Sequence, residues 1–181
     1  MLKTRFAPSP TGYIHIGNVR SAIYPYLIAK QANGKFILRI EDTDQARYVE
    51  GATELIEDTL KWLGLDWDEG PIVGGPNEPY FQSERKAIYH EWAKKLIAMG
   101  RAYADPTPSD VIQGYRDKCN AEKIPYLYRN FRPTTTPEWH EGIPLRFKAD
   151  PKVRAWHDEV MGNMEAGPEV QDDIILLKAD G

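Results

Sequence analysis

Apolar and polar positions alternate along this chain in a way that predicts strands and helices in turn over its first hundred residues. A strand is expected over residues 3–7, followed by a loop stiffened by Pro8 and Pro10 and turned at Thr11-Gly12. Ile16, Val19, Ile23 and Leu27 recur at helical spacing and predict a helix from Ile16 to Ala32, stopped at Asn33-Gly34. Pro25 lies inside it and removes one backbone bond, so a bend is expected near Ser21. The next strand is expected from Lys35 to Ile40. Val49, Ala52, Ile56, Leu60 and Leu63 predict an amphipathic helix over 49–63 that ends at Gly64. Residues 66–79, rich in Gly, Pro and acids, read as a loop. A helix with Ser83 as its cap is expected to reach Met99, with Ile88, Tyr89, Trp92, Leu96 and Ile97 as its stripe. From Arg101 the texture changes, with prolines at 106, 108, 125, 133, 137, 144, 151 and 168. A helix is expected there over 109–122, and strands over 143–149 and 174–178. The reading therefore divides the chain into residues 1–100 and 101–181, with the boundary somewhere between 75 and 105.

Composition narrows the class. At 181 residues the chain suits one large domain or two small ones, and 41% hydrophobic with 28% charged residues is an ordinary globular balance. No apolar run approaches the ~18–20 residues of a membrane span, and no signal-peptide pattern opens the chain. A single cysteine, Cys119, gives no intrachain disulfide and suggests a reducing compartment, so a cytoplasmic location is expected. The net charge of −4 argues mildly against nucleic-acid binding, although local basic faces can coexist with a negative total.

Two segments carry the chemistry. Residues 5–18 read Arg-Phe-Ala-Pro-Ser-Pro-Thr-Gly-Tyr-Ile-His-Ile-Gly-Asn, and residues 39–44 read Arg-Ile-Glu-Asp-Thr-Asp. The first is a strand, a stiff loop and a His-x-Gly turn that opens a helix. The second is the end of a strand carrying three carboxylates. Together they make half of a nucleotide-binding α/β unit, whose ligands sit at the carboxyl ends of the strands. Gly17 would let the backbone approach a phosphate, the helix amino terminus offers unpaired N–H groups, and His15 can donate a hydrogen bond. The alternative is a helix-start histidine with only a structural bond.

These segments resemble the amino-terminal half of a bacterial glutamyl-tRNA synthetase, of class I. Arg5–Gly12 is similar to that family's opening segment, and His15-Ile16-Gly17-Asn18 to its form of the His-Ile-Gly-His signature, with Asn18 in the fourth place. Arg39 to Asp44 and on to Arg47, Tyr80–Arg85, Leu145–Lys148 and Asp172–Gly181 are further likenesses, so the resemblance spans the chain. It implies an α/β fold, the first half of a Rossmann-like class I catalytic domain with an inserted α+β acceptor-stem-binding segment. The lysine-rich phosphate loop and the anticodon-binding region of that family do not occur in this sequence, so the chain is expected to be a front portion with little activity alone.

The resemblance also implies roles. His15, Gly17 and Asn18 are the catalytic positions, and Pro8, Thr11, Gly12, His15 and Gly17 the ATP contacts, with ATP carried as its Mg2+ complex. Arg5, Ala7, Ser9 and Glu41 would hold L-glutamate, Arg5 through a forked bond to a carboxylate and Glu41 through the α-ammonium. The alternatives are a surface arginine at Arg5, and acids that cap the following turn at Glu41, Asp42 and Asp44. Asp44 and Arg47 are assigned to tRNA, against a simple Asp44–Arg47 pair. Some relatives hold zinc after an Ala-Tyr pair, but here Ala102-Tyr103 leads into Ala104-Asp105-Pro106 and no zinc is expected. Arg129, Arg132, Arg146, Lys148, Lys152 and Arg154, with Tyr126, Tyr128, Phe131 and Trp139 between them, are either an RNA-facing surface or a solvated small domain with an aromatic core. The expected partners are L-glutamate, ATP and the acceptor end of tRNA, with no membrane and a monomeric chain. Two further functions stay open: a shortened paralogue that charges a modified tRNA base, and a non-catalytic module that holds nucleotide or an acceptor stem.

Overall fold

The computed structural model describes residues 1–179. Asp180 and Gly181, the end of the Asp172–Gly181 segment, lie outside the described residues. Two compact units divide the chain between Ile88 and Tyr89.

The first unit is built on a parallel pair. Strand β1 (Lys3–Phe6) leads through the proline loop into helix α1 (Ile16–Gln31), which returns the chain to strand β2 (Lys35–Leu38). Lys3 pairs with Lys35 and Phe6 with Leu38. The pairing outlasts the strands: Arg39 N–H donates to Phe6 C=O and Glu41 N–H to Pro8 C=O. On the other side of β2, parallel bridges join Ile37 to Glu69 and Ile40 to Phe81. Residues 66–79 are the expected loop, anchored to β2 by the bridge at Glu69. Trp67 is buried and its indole donates to Pro71 C=O, while Lys3 pairs with Glu69 at 2.7 Å. Helix α2 (Ala52–Trp62) covers the sheet, and Phe6, Ala22, Ala29, Phe36, Leu38, Ile40, Ile56 and Leu60 form the core. The small residues Ala22 and Ala29 let α1 lie close to the strands, and Tyr26 meets Phe36 edge-on. Helix α1 is assigned as continuous across Pro25, whose carbonyl accepts from the Thr4 hydroxyl at 2.6 Å.

Helix α3 (Lys86–Ala98) starts later than expected. Ser83 is not its cap. It lies in a 3-10 turn, Gln82–Arg85, and both its N–H and its hydroxyl donate to the Asp42 carboxylate.

The second unit centres on an antiparallel sheet in the order β3 (Ala102–Ala104), β4 (Leu145–Phe147), β7 (Ile175–Leu177). Helix α4 (Ser109–Ala121) matches the expected span, whereas β3 and the hairpin of β5 (Arg154–Asp158) and β6 (Gly162–Ala166) were not anticipated. Ala93, Ala102 and Leu145 are buried together, with Leu96, Ile97, Trp139, Leu176 and Leu177 against them. Beside this apolar cluster lies a buried polar network. Arg146 pairs with Asp105 at 2.5 Å and stands 3.6 Å over the Tyr128 ring. Burial works against ionisation of Asp105, but hydrogen bonds from Thr107, Arg146 and Tyr128 outweigh it and hold its carboxyl below the usual range. Burial pushes the Tyr128 phenol up to about 12.

Candidate functional site

The candidate residues fall into three local groups in the first unit. The first stands at the carboxyl ends of the parallel strands. Arg39 donates to Glu41 Oε1 at 2.6 Å, and an Arg5 guanidinium nitrogen is 3.9 Å from the same oxygen. Arg5 is about half exposed and Glu41 is partly so. The Arg39 Nε–H is buried without a partner among the described residues. The group therefore offers two guanidinium forks and one carboxylate at one spot, complementary to a small molecule bearing both an anion and an ammonium. Arg39 was part of the sequence segment but had no role there; its involvement follows from strand pairing, which brings Arg39 beside Phe6.

The proline loop supports this group. Pro8 and Pro10 are buried, and their carbonyls accept from Glu41 N–H and Val49 N–H, at 2.8 and 2.9 Å. The alternation leaves Ser9 exposed and Ala7 partly exposed. Ser9 and Thr11 make no side-chain hydrogen bond among the described residues, and a Cβ on Gly12 would meet open space.

The second group opens α1. His15 is the N-cap residue, its Nδ1 accepting from Gly17 N–H at 3.1 Å, and Asn18 Oδ1 accepts from His15 N–H at 3.1 Å. This reciprocal arrangement is a capping box. A Cβ on Gly17 would come within 2.8 Å of His15 Cε1. The space above Gly17, expected to admit a nucleotide, is occupied by the imidazole edge.

The third group is Asp44 and Arg47, joined by a hydrogen bond of 2.7 Å from Arg47 Nε. The pair is thus present in the free chain. Asp42 does not cap its own turn; its carboxylate reaches across to Ser83.

In the second unit the interleaved basic and aromatic residues separate. Arg146 and Tyr128 are interior, and Arg132 is bound to Asp173 and to the Ala149 carbonyl. These three are structural, which for them favours the small domain with an aromatic core over the RNA-facing row. Arg154 lines an open cavity of about 390 Å³ with Arg101, Phe147 and Ile174. Among the described residues no group of three or more His, Cys, Asp or Glu stands together as a metal site, and Cys119 is buried.

Residues 1–181 match the family described as tRNA synthetases class I (E and Q), catalytic domain. The chain belongs to this family. A glutamate–tRNA ligase of Clostridium botulinum (strain Hall) is 46% identical over 99% of this chain and 39% of its own length. One from Dehalococcoides mccartyi is 45% identical over 99% of this chain and 37% of its length. Among solved structures, a glutamate–tRNA synthetase of Elizabethkingia anophelis superposes with a TM-score of 0.88 at 36% identity, covering 99% of this chain and 39% of that one. A glutamate–tRNA ligase of Elizabethkingia meningosepticum, solved in complex with its amino acid, gives 0.87 at 36% identity. The chain thus spans about two fifths of the relatives it matches. Within the class I synthetase family the α/β fold is accounted for.

Proposed function

We propose that this chain is the front portion of the catalytic domain of a glutamate–tRNA ligase. In this reading it binds L-glutamate and ATP as the Mg2+ complex, takes part in forming glutamyl-adenylate with release of pyrophosphate, and presents the glutamyl group to the 3′ end of tRNA. The family match through all 181 residues carries the reading. The first unit takes the amino acid and the nucleotide, and the second, inserted unit takes the tRNA acceptor end. The setting is cytoplasmic and the chain monomeric.

Adenylate formation needs positioning and cations or dipoles at the phosphates more than acid–base groups. His15 and the α1 amino terminus fit the phosphates, with Pro8, Thr11 and Gly12 beside them. Arg5 takes the glutamate side-chain carboxylate and Glu41 its α-ammonium, while Ala7 and Ser9 line the same pocket. The 3.9 Å approach of Arg5 to Glu41 supports this, because a bound glutamate would satisfy both charges. Asp44 and Arg47 face tRNA.

Calorimetric titration tests the assignment. L-Glutamate should bind, and Arg5→Ala should weaken it by about 1.5–3 kcal/mol, the range for a hydrogen bond to a charged group. ATP–Mg2+ should bind both forms alike. Equal loss for both ligands would make Arg5 a support of the loop, and the absence of any glutamate binding would overturn the amino-acid site.

A further inference from the structure

We propose that Gly17 and Asn18 are positioning residues that act through His15, fixing which of its ring nitrogens carries a proton and where that N–H points. The inference rests on the nucleotide reading above for its consequence, but not for its geometry. Three observations converge on one imidazole. Gly17 N–H donates to His15 Nδ1 at 3.1 Å. A nitrogen that accepts a hydrogen bond cannot carry a proton, so the neutral ring has its N–H at Nε2. His15 N–H in turn donates to Asn18 Oδ1 at 3.1 Å, which holds the residue carrying that ring in its extended N-cap conformation, φ −126° and ψ 170°. The ring lies flat enough over residue 17 that a Cβ there would stand 2.8 Å from Cε1 and 3.0 Å from Nδ1.

The last distance decides what the glycine is for. Contacts under 3.0 Å are closer than carbon atoms tolerate, so any side chain at 17 drives the ring off its seat. Gly17 is needed here even in the free chain, before any nucleotide arrives. The fourth position of the turn has a matching duty. Its side-chain oxygen faces back to His15 N–H, so Asn18 supports the cap rather than reaching outward. The product of the arrangement is an Nε2–H donor on an exposed ring oriented by one backbone bond beside the helix amino terminus. That is the group a phosphate oxygen needs, and the Nδ1 bond meets part of the ordering that binding would otherwise require.

The test uses the whole chain with its four histidines labelled with 15N, His15→Gln identifying the His15 signals. At a pH where the ring is neutral, nitrogen shifts and long-range proton couplings report the tautomer without any ligand. The expected result is one form protonated at Nε2, in the parent chain and in Asn18→Asp, which keeps an acceptor oxygen. Gly17→Ala and Asn18→Leu should give mixed tautomers, with far-ultraviolet circular dichroism unchanged. ATP–Mg2+ affinity should fall about two- to tenfold in Gly17→Ala and Asn18→Leu, the cost of ordering one freed side chain. A mixed tautomer in the parent chain, or an unchanged tautomer in both disruptive variants, overturns the proposal. If the tautomers behave as stated but the parent chain binds no ATP, the nucleotide reading fails and the positioning device stands.

Discussion

Arg132 holds Asp173 with both prongs of its guanidinium, Nε at 2.6 Å from one carboxylate oxygen and Nη2 at 2.7 Å from the other. Asp173 also accepts from Ala149 N–H at 2.8 Å and from the Tyr103 hydroxyl at 2.7 Å. Its neighbour Asp172 accepts from the N–H groups of Tyr128 and Arg129. Two consecutive acids thus pin the 128–132 segment to the stretch of chain just before β7. Removing the Asp173 carboxylate leaves Arg132 half-buried and unpaired. Asp173→Ala should destabilise the second unit by about 3–5 kcal/mol, as measured by urea denaturation.

The same network makes stability depend on pH at both ends. Burial opposes ionisation of Asp173, but its bonds from Arg132, Ala149 and Tyr103 prevail, so its carboxyl is held below the usual range, like that of Asp105. A depressed carboxyl stabilises the fold fully above its unfolded value, about 3.9, and the benefit is lost as pH falls through the folded value. Urea midpoints should therefore fall between about pH 4 and pH 2, and fall less in Asp105→Asn and Asp173→Asn. At the alkaline end, Tyr128 at about 12 contributes stability that is complete below about 10 and lost as pH rises through its folded value. Burial also raises the phenols of Tyr80, Tyr103 and Tyr126, so phenolate absorbance should show a late-titrating group of tyrosines from which Tyr128→Phe removes one.

Two glycines should respond in opposite senses. Gly75 has φ +140°, and a Cβ there would meet the Tyr80 hydroxyl at 2.5 Å. Gly75→Ala should destabilise the first unit. Gly114 lies within α4, where a Cβ meets open space, so Gly114→Ala should stabilise by about 0.5–1 kcal/mol. Thermal melting of the two variants beside the parent reads both signs.

Asp42 and Ser83 offer a milder case. Two hydrogen bonds, at 2.9 and 2.7 Å, join them near the surface. Ser83→Ala removes only the hydroxyl bond and should cost about 0.5–1.5 kcal/mol, while Asp42→Ala removes both and should cost more. Hydrogen exchange at the Ser83 amide should quicken in Asp42→Ala alone.

The parts of this fold that were legible are those whose cause is local. Ile16, Val19, Ile23 and Leu27 marked the span of α1 because helical spacing is a property of neighbouring residues, but Val19 alone of the four is buried, and the face against the strands is Ala22 and Ala29. The His15–Asn18 turn was legible for the same reason. Strand β3 is three residues long, too short for any period to declare itself. Most of β5 is exposed, so the hairpin has no apolar alternation to find. Ser83 looked like a cap because its partner, Asp42, is brought to it only by folding. Arg39 beside Glu41, and Asp172 beside Tyr128, likewise depend on distant segments meeting. The interior position of Arg146 ran against composition, which treats an arginine near tyrosines as surface; Asp105 makes its burial tolerable.

The two kinds of strand pairing also differ in how soon they can form. In the β5–β6 hairpin, His157 finds Asn163 across a short turn, a closure that takes microseconds. Lys3 cannot find Lys35 until the intervening chain, α1 included, has been brought round, and loop-closure entropy must be met before any ladder bond is made. The parallel pair that carries Arg5 and Glu41 is therefore the later event in folding. Until it closes, the edges of β1 and β2 and the apolar face of α1 are open together, which makes that interval the one in which the chain is most exposed to self-association.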